Sequence, residues 1–196
     1  MQFNLREINE LMLKRRSLFP AGYTSEKIDE QIIRTILENA TLAPTHKMTQ
    51  PWRFTVFVNE GIARLAEFQS ECYKAVTSVN GTFREERFSG LKTKPFQSAC
   101  IIAIGVKRDE TNSVPEIEEI GAVFCAVENM YLTAAAYEIG CYLSTGGITY
   151  FEEAKSFFGL GPHDRLIGFL HLGIPKTWPP ARTRKPVDEV SRWVTS

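Results

Sequence analysis

The 196-residue sequence is short of several signatures that would assign it quickly. Its four cysteines, Cys72, Cys100, Cys125 and Cys141, form no CxxC pair and have no neighbouring histidine to complete a zinc motif. Buried free thiols are therefore expected, and no metal site. GxSxG, GxxxxGK[ST], GxGxxG and HExxH are all absent, which removes the usual signals of a nucleophile-elbow hydrolase, a P-loop, a dinucleotide fingerprint and a zinc protease. An excess of one charge is also lacking. Lys plus Arg and Asp plus Glu both number 23, so no global field draws nucleic acid or an anionic membrane, and any anion site must be built locally. The longest apolar window, residues 120–143, is broken by Glu128, Asn129 and Glu138, which would be costly in hydrocarbon. It reads as a buried helix. The first residues carry an early acid, Glu7, and no unbroken apolar stretch, so a reducing, cytoplasmic location is expected.

What is present is an ordinary globular composition, 43% hydrophobic and 23% charged. No repeat or linker divides the chain, and one domain spanning 1–196 is expected. Leu5, Ile8, Leu11 and Met12 recur at helical spacing behind Asn4 and Glu7, which suit a capping pair. After a turn at Pro20-Ala21-Gly22, Ser25 offers an N-cap to a second helix whose stripe is Ile28, Ile32, Ile33, Ile36 and Leu37. Residues 43–51, with Pro44 and Pro51, predict a loop. A strand is predicted over 52–58, with Trp52, Phe54, Val56 and Val58 on one face, then a helix over 62–79. Polar residues 80–97 predict a mobile insertion or lid. The apolar run 99–106 suits a central strand buried on both faces. A long helix over 117–139, a strand end at 141–144, a short helix over 152–158 and a strand over 166–172 follow. His171 inside that last strand reads as a hydrogen-bonded structural histidine. Residues 176–196 form a proline-rich basic tail.

Three polar constellations share one chemistry. Arg15-Arg16-Ser17 closes the first helix, Arg182 and Arg184 alternate in the extended tail, and Ser144-Thr145-Gly146-Gly147 offers hydroxyls and unobstructed backbone N–H groups. Guanidinium forks match phosphate oxygens, and alternate residues of an extended segment project to one side, so the set suits a phosphorylated ligand. Adjacent arginines on a solvated face are the alternative reading of the same residues.

The order of these pieces resembles the nitroreductase family of flavoproteins. The resemblance rests on Arg15-Arg16-Ser17, then Ala43-Pro44-Thr45-His46 and Gln50-Pro51-Trp52-Arg53-Phe54, the long helix over 121–140, the strand over 164–175, and Arg182-Thr183-Arg184-Lys185-Pro186. It implies an α+β three-layer sandwich, with a mixed sheet flanked by helices, forming an intertwined homodimer with FMN at the subunit interface. It further implies that Arg15, Arg16 and Ser17 contact the phosphate, ribityl chain and ring edge, and that Arg182 and Arg184 complete the phosphate site. Pro44, Thr45, His46 and Gln50 would come from the partner subunit, and Leu143, Ser144, Thr145, Gly146 and Gly147 would run beside the isoalloxazine ring. The activity implied is transfer of reducing equivalents from NADH or NADPH to a nitroaromatic, quinone or similar small electron-poor acceptor. The flavin does the chemistry, so no side chain is nominated as catalytic. A dehalogenase-like or flavin-destroying enzyme of the same fold, or a non-enzymatic flavin-binding protein, stays open on these residues.

Overall fold

The computed structural model describes residues 3–195. Helix α1 (Leu5–Lys14) is capped by Asn4, whose Oδ1 accepts the amides of Arg6 and Glu7. Helix α2 (Glu30–Ala40) starts at Asp29, not at Ser25, because the Asp29 carboxylate takes the Gln31 amide at 2.8 Å while Ile28 packs into the core ahead of the helix. Strand β1 (Trp52–Val58), helix α3 (Glu60–Val79), helix α4 (Glu85–Thr93), strand β2 (Cys100–Val106), helix α5 (Glu116–Ala136), strand β3 (Gly140–Ser144) and strand β4 (Arg165–Gly173) follow in chain order.

The sheet order is β1-β2-β4-β3, and every neighbour pair is antiparallel. The mixed character expected of the sheet is confined to one isolated parallel bridge, between Ser17 and Cys141 on the outer edge of β3. Alternation along the strands divides the core. Cys100, Ile102, Ile104 and Val106 of β2 face the layer of α2 and α5, where Ile36, Val123, Ala126 and Met130 are fully enclosed. Ile101 and Ala103 face the opposite layer, with Leu65 of α3, Ile148 and Phe158. All seven residues of β2 are buried, as the continuous apolar run predicts. The result is an α+β sandwich with helices on both faces.

Three local features refine the sequence reading. Residues 85–93 are helix α4, tied to α3 at both ends: the Arg84 amide donates to the Tyr73 hydroxyl at 3.2 Å, and Gln69 Nε2 donates to the Leu91 carbonyl at 2.6 Å. The short helix expected over 152–158 is present and wound as 3-10. In β1, Phe57 is buried against the α3 side, while Val56 on the opposite face is exposed, since the helices there cover only Trp52, Phe54 and Val58. Of the cysteines, Cys100 and Cys141 are buried, Cys72 is partly so and Cys125 is exposed on α5. No helix among the described residues is long and apolar enough to cross a membrane.

Tyr23 shows how the edge of the sheet is closed. Its ring lies flat across Gly140 and Gly173, where a β carbon would collide with it, and its hydroxyl donates to the Leu18 carbonyl at 2.6 Å. The chain leaving α1 is thereby held against β3.

Candidate functional site

Arg15 ends α1. Its φ and ψ of −52° and 133° turn the chain into an extended run along the outer edge of β3, where the Leu18 amide donates to the Cys141 carbonyl at 2.9 Å. That run presents three side chains in different directions. Arg15 lies over the Tyr131 ring, 5.3 Å from its centre, with Nε 3.4 Å from Glu128 Oε1. Ser17 Oγ donates to the Tyr131 hydroxyl at 3.4 Å. Arg16 turns inward and is 7% exposed.

Arg16 is the unusual residue. Its Nε donates to the Pro180 carbonyl at 3.3 Å and its Nη1 to the Arg15 carbonyl at 2.6 Å. Its Nη2 is buried and, among the described residues, has no hydrogen-bond partner. Burial lowers its pKa from the usual arginine value, and the guanidinium groups of Arg184, Arg15 and Arg182 lower it further. The tail brings those arginines in: Lys176 donates its amide to Gly22, and Trp178 Nε1 donates to the Lys14 carbonyl at 3.0 Å. A chain of zero net charge thus gathers Arg15, Arg16, Arg182 and Arg184 in one place. A buried charged donor without an acceptor is costly, and an anion resolves it.

Tyr131 joins this cluster to the loop after β3. The Leu143 amide donates to the Tyr131 hydroxyl at 2.7 Å, and burial raises the phenol's pKa, which keeps it neutral. Leu143 and Ser144 pair with Leu170 and Phe169 of β4, and Thr149 Oγ1 donates to the Gly146 carbonyl at 2.8 Å, fixing the loop of Thr145, Gly146 and Gly147. Arg15, Arg16, Ser17, Arg182, Arg184 and the start of the 143–147 segment therefore belong to one neighbourhood. Sequence reasoning did not single out Tyr131, Trp178 or Tyr23; the only signal for them is an aromatic with a polar tip inside an otherwise apolar pattern.

Pro44, Thr45, His46 and Gln50 lie elsewhere in the chain. His46 Nδ1 is 2.5 Å from Glu118 Oε2, and Lys47 Nζ donates to the Ser113 carbonyl at 2.9 Å, so the loop sits at the start of α5. Arg15 contacts the same helix at Glu128, ten residues further on, which is about 15 Å along the axis. The loop is held in a demanding shape, with Lys47, Met48 and Gln50 at φ of 49°, 56° and 46°. Thr45 Oγ1 accepts the Gln50 amide at 3.2 Å and lies 3.2 Å from Thr49 Oγ1. Left-handed backbone at non-glycine residues costs about 1–2 kcal/mol each and is often found at functional segments.

His171 donates or accepts one bond, to Ser98 Oγ at 3.0 Å from Nδ1, and burial lowers its pKa to about 4. It is a neutral structural histidine, as expected. A groove of about 710 Å³ on α3, floored by Phe68, Cys72 and Val76, is lined by no lysine or arginine that could meet a phosphate.

Fold and site together define an α+β sandwich with a cluster of arginines at one sheet edge, next to a small-residue loop. The Nitroreductase family matches over residues 13–174. An Escherichia coli (strain K12) protein provisionally named NAD(P)H nitroreductase YdjA is 31% identical over 170 residues, which is 85% of this chain and 87% of that one. Among solved structures, a nitroreductase-like family protein from Bacillus cereus has a TM-score of 0.82 at 22% identity, covering 100% of both chains. The FMN-dependent nitroreductase NfnB from Mycobacterium smegmatis, solved in complex with NADPH, has a TM-score of 0.71 at 16% identity, covering 98% of this chain and 100% of that one. The chain belongs to the nitroreductase family, a family of oxidoreductases.

Proposed function

We propose that the protein is an FMN-dependent oxidoreductase that takes hydride from NADH or NADPH and reduces nitroaromatic, quinone or similar electron-poor acceptors in two half-reactions. The observation that carries this reading is the buried, partnerless Nη2 of Arg16 amid Arg15, Arg182 and Arg184. A phosphate monoester supplies the acceptors this group lacks. Bound FMN would contribute the two-electron chemistry.

The chain's own residues bind and orient. Arg16, Arg182 and Arg184 hold the phosphate, and Arg15 and Ser17 serve the ribityl chain and ring edge. Leu143, Ser144, Thr145, Gly146 and Gly147 offer backbone donors beside the ring, where they favour its electron-rich reduced form. Tyr131 positions both sets through Ser17 and Leu143.

The working form is a homodimer with a flavin at each subunit boundary. Apolar side chains support it: Leu5, Met12 and Leu13 of α1 are 57–67% exposed, and Trp193 in the tail is 80% exposed. The separation of the 44–50 loop from Arg15 along α5 also supports it, since Pro44, Thr45, His46 and Gln50 reach a flavin more readily in a neighbouring chain. A reducing, cytoplasmic setting accords with four free cysteines.

The test is anaerobic. Purified protein loaded with FMN is mixed with NADPH, and the flavin absorption band is followed. Bleaching, then recovery on adding a nitroaromatic or a quinone, is expected. A band that persists in both NADPH and NADH makes the protein a flavin binder and overturns the reading, as does failure to retain FMN.

A further inference from the structure

Helix α4 turns one face toward the loop assigned to the flavin ring. Arg87 Nη2 stands 3.3 Å from the place a β carbon on Gly146 would occupy, and Leu91 Cδ2 stands 3.4 Å from the same place on Gly147. Arg87 and Leu91 are four residues apart, so they form one stripe of the helix. Gly147, at φ of 74°, needs glycine for its backbone.

The position of that stripe is built in. Gln69 and Tyr73 of α3 bind the two ends of α4, and Phe83 packs at 6.0 Å from both Tyr73 and Phe88. The Arg87 guanidinium is exposed and, among the described residues, pairs with no carboxylate. Lys74 and Lys92 place their ammonium groups 5.7 and 5.9 Å from the centre of the Phe88 ring, adding positive charge beside it. A cation held at the open side of a redox site, next to an apolar side chain, matches a small aromatic anion.

We propose that Arg87 is a specificity-determining residue that selects aromatic electron acceptors carrying a carboxylate. This rests on the flavin reading above and adds to it the acceptor's charge. The guanidinium fork donates to a carboxylate bidentately, and Leu91 covers the edge of the aromatic ring. The 2′-phosphate of NADPH lies at the far end of the dinucleotide from the nicotinamide, so a cation beside the flavin ring does not select NADPH over NADH. With a nitrobenzoate, the nitro group takes a hydride from the reduced cofactor and a proton from solvent, becomes a nitroso group and releases water. The carboxylate is unchanged.

The test compares the FMN-loaded wild type with Arg87→Gln and Arg87→Lys, with FMN content measured for each. Benzoate and benzamide are titrated by calorimetry, which reads binding without turnover. In Arg87→Gln the preference for benzoate over benzamide falls by about tenfold or more, the size expected for one charged hydrogen-bond pair, and Arg87→Lys falls between. The ratio of kcat/KM for 4-nitrobenzoate to that for its methyl ester falls in parallel. An unchanged benzoate preference in both variants overturns the proposal, as does an effect confined to the NADPH to NADH ratio. Failure of wild-type flavin to be reduced is a separate result. It overturns the oxidoreductase reading, and the benzoate titration still decides whether Arg87 holds the anion.

Discussion

Replacing Tyr131 with Phe removes one oxygen, and that oxygen joins the arginine segment to the end of β3. Its hydroxyl accepts the Leu143 amide at 2.7 Å and the Ser17 hydroxyl at 3.4 Å. Leu143 lies on the free edge of β3, so no strand can take over its amide, and it is only partly buried, so water can recover some of the loss. The cost therefore lies toward the lower end of that for an unpaired amide, about 1–2 kcal/mol. For a chain of this length each kcal/mol lowers Tm by about 2–4 °C, so Tyr131→Phe melts about 2–8 °C below wild type. FMN affinity falls as well, because Ser17 and Leu143 lose their common anchor. Tyr131→Ala also deletes a buried ring under Arg15, and the cavity raises the cost to about 3–5 kcal/mol. Thermal melts without FMN and fluorimetric titration with FMN read the two effects separately. A Tyr131→Phe protein with wild-type Tm and wild-type FMN affinity refutes the positioning argument.

Arg16→Met or Arg184→Ala weakens FMN binding about tenfold to a hundredfold, measured by the same titration, while Arg16→Met melts within a few degrees of wild type without FMN because it removes a partnerless buried donor along with two bonds. Glu119→Ala removes the buried carboxylate that pairs with the half-buried Arg108 and costs about 3–5 kcal/mol in urea unfolding, whereas the double variant Arg108→Met, Glu119→Leu recovers much of that. His171 sets part of the acid stability: its folded pKa of about 4 lies below the ordinary 6.5, so the unfolded chain binds the proton more readily between those values. Its contribution is complete above pH 6.5 and is lost on acidification toward pH 4, by about 3 kcal/mol, and His171→Gln flattens that part of the pH profile of urea midpoints.

Elements that bury a periodic face were legible in the sequence, and those held by a neighbour were not. Strand β2 reads directly because all seven residues are enclosed, and α5 because its apolar residues fill most of its circumference. Helix α4 has no buried residue; it is positioned by Gln69 and Tyr73, which belong to another helix and whose direction no local pattern reveals. The start of α2 was misplaced because Ser25 and Asp29 both suit a cap, and the choice is made by Ile28, which must be extended to enter the core. In the site, the sequence shows that Arg15 and Arg16 are adjacent but not that one stacks on Tyr131 while the other is buried. That division follows from the extended run along β3, where neighbouring side chains point to opposite sides.

The partnerless donor of Arg16 also makes folding and ligand binding one problem. Four guanidinium groups converge where, among the described residues, the only carboxylate in contact is Glu128, so the ligand-free chain holds charge together against repulsion. A dianionic ligand removes that repulsion only in the folded state, because the arginines meet only when the tail lies against the start of the chain through Trp178 and Pro180. Ligand at a hundred times its Kd adds about 2.7 kcal/mol to stability by mass action. The tail, which buries almost nothing of its own, is therefore the segment whose order depends most on the ligand, and a chain that loses the ligand loses the site's second half before it loses its core.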